Sequence, residues 1–165
     1  LEDSLDLVAD PGENDYVYAR THLESLTGTK FNGLRGRINK VTKLSPTVRP
    51  ITLADRDTCR RITERWVASK GEHLNEHHVR DAQVAYEMID AFGDLPVEGV
   101  LVEIGGEAKA LVIGEQLSPD VWISHFEKCD LDVAGLAAYA FQAWVKQLPS
   151  GCAFINRMQA QGDQG

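Results

Sequence analysis

The chain has 165 residues, 43% of them hydrophobic, with 25 acids against 17 lysines and arginines and a formal net charge of −8. That length supports one domain with a real core, and the composition excludes a disordered or fibrous chain. The acidic balance disfavours broad, non-specific polyanion binding, and no apolar run approaches the roughly 20 residues of a membrane helix.

Residues 1–14 are acidic and turn-rich and read as a lead-in. YVYARTHLESL (16–26) predicts a short helix that TGT (27–29) breaks, with Thr29 as a candidate cap for the next helix. From Lys30 to Leu44 the apolar residues Phe31, Leu34, Ile38, Val41 and Leu44 recur at spacings of three and four. They predict an amphipathic helix with basic flanks. Gly33 and Gly36 weaken it by roughly 1 kcal/mol each and leave room for another backbone or a ligand. TVRPITL (47–53) predicts an edge strand, because Pro50 cannot donate to a ladder. Asp55 is placed to cap a helix to about Lys70, which Gly71 ends, and a second helix covers 75–92. VEGVLVEI (97–104), the turn GGE and AKALVIGEQL (108–117) predict a hairpin. SPD turns the chain into a third strand, VWISHFEKC (121–129), followed by the loop DLDVAG, a helix over 135–148 and a last strand, CAFIN (152–156).

The charge is unevenly placed. From Ser25 to Ala54 there is no Asp or Glu, yet the stretch holds Lys30, Arg35, Arg37, Lys40, Lys43 and Arg49. It is either a solvated helix face or a local seat for a phosphate-bearing partner. Cys59, Cys129 and Cys152 show no CxxC spacing, and no basic-then-apolar leader opens the sequence. Reduced thiols and a cytoplasmic setting are expected. His73, His77 and His78 read as a solvated helix rather than a metal site, and Trp66, Trp122 and Trp144 as core.

The division expected is a helical lead-in over 1–44 and an α+β domain over 45–165. Its order, βααβββαβ, gives a mixed, mostly antiparallel sheet flanked by helices. This order resembles the acyl-CoA N-acyltransferase fold, in which strands splay and the donor's phosphates sit at the next helix N-terminus. Free backbone N–H groups and the helix dipole favour an anion there. The matching turn runs from Asp132 through Gly135, Leu136 and Ala137. Asp132 stands where that fold carries Arg or Gln, which speaks against coenzyme A. The plain alternative is an ordinary glycine loop.

Four pieces in order resemble one family, the C-terminal catalytic domain of bacterial phosphatidylglycerol lysyltransferases and its soluble relatives. DYVYARTHLESLTGTKFNGLRGRINKV (15–41) resembles the stretch leading into GKKFHKKRNHINKF. IGEQL (113–117) resembles IGE, HFEKCDLDVAGLAAYAFQAW (125–144) resembles HFEKAD...KGLYQAINQEF, and FINRMQAQG (154–162) resembles YINREQDLG. The resemblance implies transfer of an aminoacyl group from charged tRNA to phosphatidylglycerol or another small acceptor. It also implies a cytoplasmic protein that touches the inner membrane face peripherally. Such a donor is already an activated ester, so no cofactor or metal is required.

Several residues suit that chemistry. Arg35, Arg37, Asn39 and Lys40 are candidates for phosphate binding. Strict alternation along 121–128 puts His125 and Glu127 on one strand face, as base and amine anchor or as a solvent-exposed pair. Asn156 and Arg157 are expected to end the neighbouring strand and point to the same region, where arginine would stabilise an oxyanion or hold a phosphate. Glu115 is a candidate hydrogen-bond partner in the cleft. Departures count too: Met158 and Ala160 replace acids, Gly36 stands for Asn, and Leu1 with the closing QAQGDQG suggests a truncated chain. An acetyl-CoA-dependent N-acetyltransferase and a non-catalytic binding or assembly module are the alternatives. A sheet cut after its fifth strand would leave an open edge, favouring a homodimer.

Overall fold

The computed structural model describes residues 15–159. In chain order they form β1 (Asp15–Ala19), α1 (Arg20–Ser25), α2 (Asn32–Thr42), β2 (Thr47–Pro50), α3 (Arg56–Ala68), α4 (Glu76–Asp90), β3 (Val97–Ile104), β4 (Glu107–Ser118), β5 (Val121–Cys129), α5 (Leu136–Gln147) and β6 (Phe154–Gln159). From β2 onward this is the expected α+β order, on a single six-stranded sheet ordered β1-β6-β5-β4-β3-β2. Every pairing is antiparallel except β5 with β6, which is parallel, as a crossover through α5 requires. Gly105 and Gly106, both at positive φ, close the β3–β4 hairpin.

Alternation sorts the sheet into two cores. Val100, Val102, Val112 and Ile155 face α5, where Phe141, Trp144 and Val145 cover them. Leu101, Leu111, Ile113 and Phe126 face α3 and α4, against Ile62, Ala85 and Ile89. Both faces of β3 and β4 are therefore buried, and their sequences read as near-continuous apolar runs.

The segment 16–26 is not one helix. Asp15–Ala19 is a strand that pairs with β6, and only Arg20–Ser25 is helical. With β1 in place, β6 is an inner strand and the sheet's edges are β1 and β2. Thr29 makes no cap; a short turn over 29–31 leads into α2, whose start has no side-chain cap bond. Asp55 does not cap with its own side chain either. It turns back to accept from the Thr52 amide and hydroxyl (2.9 and 2.6 Å) and from Arg49 Nη1 and Nη2 (2.9 and 2.8 Å). Arg49 also reaches Glu103 at 2.8 Å, which ties the β2 edge to the start of α3.

Candidate functional site

β5 and β6 are paired only from Val121 with Phe154 to Ile123 with Asn156. β5 continues to Cys129 and β6 to Gln159, so the strands splay toward their C-terminal ends. The chain leaves β5 there, loops through 130–135, and enters α5 beside the open end of the splay.

A cavity of about 270 Å³ lies at that helix start, lined by Arg37, Cys129, Asp130, Leu131, Gly135 and Ala137 among others. Gly135 precedes α5 at φ 92 without a side-chain cap bond. A Cβ there would meet the Arg37 Cβ at 2.8 Å and the Arg37 carbonyl oxygen at 2.9 Å. The backbone of α2 therefore lies directly on Gly135. By contrast, nothing stands within 4 Å of a Cβ on Gly33 or Gly36. At the α2–α5 contact the glycine that admits close approach is Gly135, on α5's side.

The cavity brings together four of the sequence-predicted residues: Arg37, Gly135, Leu136 and Ala137. Its floor holds Asp130, 8% exposed, paired with Arg65 Nε at 2.7 Å and Lys109 Nζ at 3.2 Å. Arg65 and Lys109 offset the Asp130 carboxylate, and Lys109 is shared with Glu107 at 3.0 Å. The Cys129 thiol lines the same cavity. Burial pushes its pKa up, and the neighbouring carboxylates of Asp130 and Glu127 act in the same direction.

Arg35 is otherwise engaged. Its guanidinium donates to the carbonyls of Leu26 and Gly28 and to Asn32 Oδ1, and so fastens the α1–α2 turn. Asn39 and Lys40 lie exposed on α2.

His125 and Glu127 do not share a face. The β4–β5 register jumps from Ile113 opposite Phe126 to Gly114 opposite Ser124, leaving His125 as the extra residue of a bulge. The jump reverses the alternation. Ser124 and Glu127 lie together, 3.4 Å apart, on the α5 face. There Glu127 accepts from Arg157 Nε at 3.0 Å and Nη2 at 2.8 and 2.7 Å. Arg157 in turn covers the Phe141 ring at 4.2 Å. This ion pair spans the splay. His125 Nε2 instead meets Glu115 Oε1 at 3.0 Å, with both side chains partly buried. In the tautomer that donates from Nε2, the Nδ1 lone pair is left to accept a proton.

Asn156 and Arg157 likewise point to opposite faces, as neighbours on a strand must. Asn156 is buried within β6, donates to Asp15 Oδ2 at 2.6 Å, and accepts from the Met158 amide at 2.7 Å. It fastens β1 to β6. Ala160 lies outside the described residues. Asp130 was missed in the sequence because Arg65 and Lys109, which give it meaning, are distant in the chain. Its place immediately after β5 was the available signal.

Among the described residues no helix is long and apolar enough to cross a membrane. The family model described as "Phosphatidylglycerol lysyltransferase, C-terminal" matches residues 2–164. No curated protein matches the chain. A conserved protein of unknown function from Bacteroides thetaiotaomicron is similar at 23% identity and TM-score 0.86, over 94% of this chain and 53% of that one. L-PGS from Bacillus licheniformis is similar at 13% identity and TM-score 0.60, over 88% of this chain and 46% of that one. The C-terminal domain of an Agrobacterium fabrum protein assigned as a lysylphosphatidylglycerol synthetase gives 12%, TM-score 0.59, and the same shares of 88% and 46%. The chain thus spans about half the length of these structures, and the likeness at such identity establishes the shared fold.

Proposed function

The chain belongs to the phosphatidylglycerol lysyltransferase C-terminal family, and we propose on that premise that it moves an aminoacyl group from charged tRNA to phosphatidylglycerol or another small acceptor. The observation that carries this reading is the cavity where basic α2 meets the uncapped start of α5, beside the splay. Arg37 lines that cavity, Lys40 lies exposed one turn further along α2 to meet a polyanion beyond it, and the amides at the head of α5 add partial positive charge.

The ester is drawn into the splay between two sets of groups. Glu127 fixes Arg157 by a bidentate pair, so the guanidinium is pre-oriented toward developing negative charge on the ester oxygen. His125, oriented by Glu115, takes the proton of the acceptor hydroxyl as its oxygen attacks the ester carbon. The bond to the terminal ribose oxygen then breaks, and that oxygen receives the proton from the imidazolium. No other co-reactant enters the balance.

The test is incubation of the protein with aminoacyl-tRNA labelled in the amino acid and with phosphatidylglycerol vesicles. Label should move to the lipid phase, and His125→Ala and Arg157→Ala should each slow transfer by about 100-fold or more. If no charged tRNA yields labelled lipid or small acceptor, the reading is wrong. Labelling from acetyl-CoA instead would assign the cavity to that donor.

A further inference from the structure

Among the described residues β1 is the outermost strand on one side of the sheet. It presents two tyrosines, Tyr16 at 48% and Tyr18 at 38% exposure, with ring centroids 6.4 Å apart and planes inclined by 22°. The opposite edge is guarded in the usual way. β2 has four residues, ends on Pro50, and carries Arg49 in ion pairs with Asp55 and Glu103. β1 has neither proline nor lysine and offers aromatic faces instead.

The register fixes where those faces lie. Tyr18 stands opposite Ile155, which is buried against α5, so the ring pair belongs to the α5 face. Tyr16 falls at the irregularity between the Asp15–Gln159 and Val17–Asn156 pairs, toward the C-terminal end of β6 that carries Arg157. Because β6 runs parallel to β5, this end of the β1–β6 ladder is also the open end of the splay. α1 and α2 both pack on α5. The tyrosine pair, the Arg157 guanidinium and basic α2 therefore share one face and one end of the molecule.

Two exposed, nearly parallel rings on the same face and end as a guanidinium suit a flat, polarisable group carried on an anionic backbone. A nucleobase on a sugar-phosphate chain is such a group, and aromatic side chains on sheets bind unpaired bases by stacking. We propose that Tyr16 and Tyr18 form a stacking platform for an unpaired base at the 3′ end of an RNA strand whose phosphates lie along α2. The inference rests on the aminoacyl-tRNA reading, and names the contact that would hold the last bases of the donor.

The test uses the whole chain and fluorescence anisotropy with two RNA hairpins, one with a single-stranded 3′ overhang and one blunt. The wild type should prefer the overhang. Tyr16→Leu with Tyr18→Leu keeps apolar bulk and removes the π faces. It should weaken overhang binding by roughly 10- to 100-fold and blunt binding by less than about 2-fold. Tyr16→Phe with Tyr18→Phe should stay within about 2-fold of wild type on both. Thermal melts of each variant identify any loss that is mere unfolding. No loss in the leucine variant, or equal loss on both hairpins, overturns the platform. Equal wild-type binding to both hairpins also overturns it and leaves the donor reading standing, whereas wild-type binding to neither removes both. If the leucine variant keeps its RNA binding and loses binding to phosphatidylglycerol vesicles, the tyrosines serve a lipid surface and the proposal fails.

Discussion

Replacing Gly135 with alanine strikes the contact that shapes the cavity. Two penalties arise. The backbone there sits at φ 92, outside the regions that L residues favour, at about 1–3 kcal/mol. The new methyl would also meet the Arg37 Cβ, carbonyl oxygen and carbonyl carbon at 2.8, 2.9 and 3.0 Å. Two of those three atoms are backbone, so relief requires α2 to withdraw by several tenths of an ångström, adding about 1–3 kcal/mol. The sum is roughly 2–6 kcal/mol. At about 2–4 °C per kcal/mol for a chain of this size, the midpoint should fall by roughly 4–24 °C. Urea titration at equilibrium measures the change directly, with an unchanged slope if the native state stays compact. Gly151→Ala is the control, since its nearest neighbour is a carbonyl at 3.8 Å, and it should stay within about 0.5 kcal/mol of wild type. A Gly135→Ala loss no larger than the control's would refute the seating of α2 on that glycine, and with it the cavity wall on which the proposed anion site depends.

Gly36→Ala should do the reverse and raise stability by about 0.5–1 kcal/mol, because the methyl meets nothing and the helix gains propensity; a lower melting temperature would contradict this. Lys128, 4% exposed, is paired with Asp81 and lies 3.9 Å from the Trp66 ring centroid. Burial lowers its pKa. Asp81→Asn strands the buried ammonium and should cost roughly 2–4 kcal/mol by urea titration. Lys128→Met leaves only a partly exposed carboxylate and should cost less; the opposite ranking would refute the account. Asp55 is held well below the usual carboxylate range, chiefly by Arg49, against the opposing effect of burial. A folded-state pKa below the unfolded value means stability that is fully present above about pH 4 and lost as pH falls through the folded value. Asp55→Asn should therefore lose roughly 1–2 kcal/mol at pH 7, discounted because Arg49 is 38% exposed, and the gap to wild type should shrink in urea titrations below pH 4.

The central meander was legible in the sequence. β3 and β5 start and end where alternation and turn residues placed them, because both faces of that sheet are specified by local pattern and tight turns. β1 was not legible. Its five residues hold no clear alternation and lie directly against a helix, and their conformation is decided by β6, at the far end of the sequence. The cavity's glycine turn could be placed from the chain order, as could the basic helix. Their meeting through Gly135 and Arg37 could not, since nothing local marks which residue of α2 comes to rest there. His125 fails differently. Strict period two was the correct rule for an unbroken strand, and a bulge opposite Ile113 and Gly114 reversed it. The opposed directions of Asn156 and Arg157 needed no structure at all; period two already required them.

The β1–β6 ladder has a kinetic consequence. It joins Asp15 to Gln159 and so closes nearly the whole described chain into one loop. The meander β3–β4–β5, linked by short turns, can assemble from contacts close in sequence, whereas β1 has no partner until α5 has crossed over and β6 has docked. Folding should therefore finish at this edge, and native-state opening should begin there, with the amides of Tyr18 and Ala19 exchanging by local release rather than by global unfolding. The aromatic face of the molecule is thus carried on the last strand to arrive and the first able to leave.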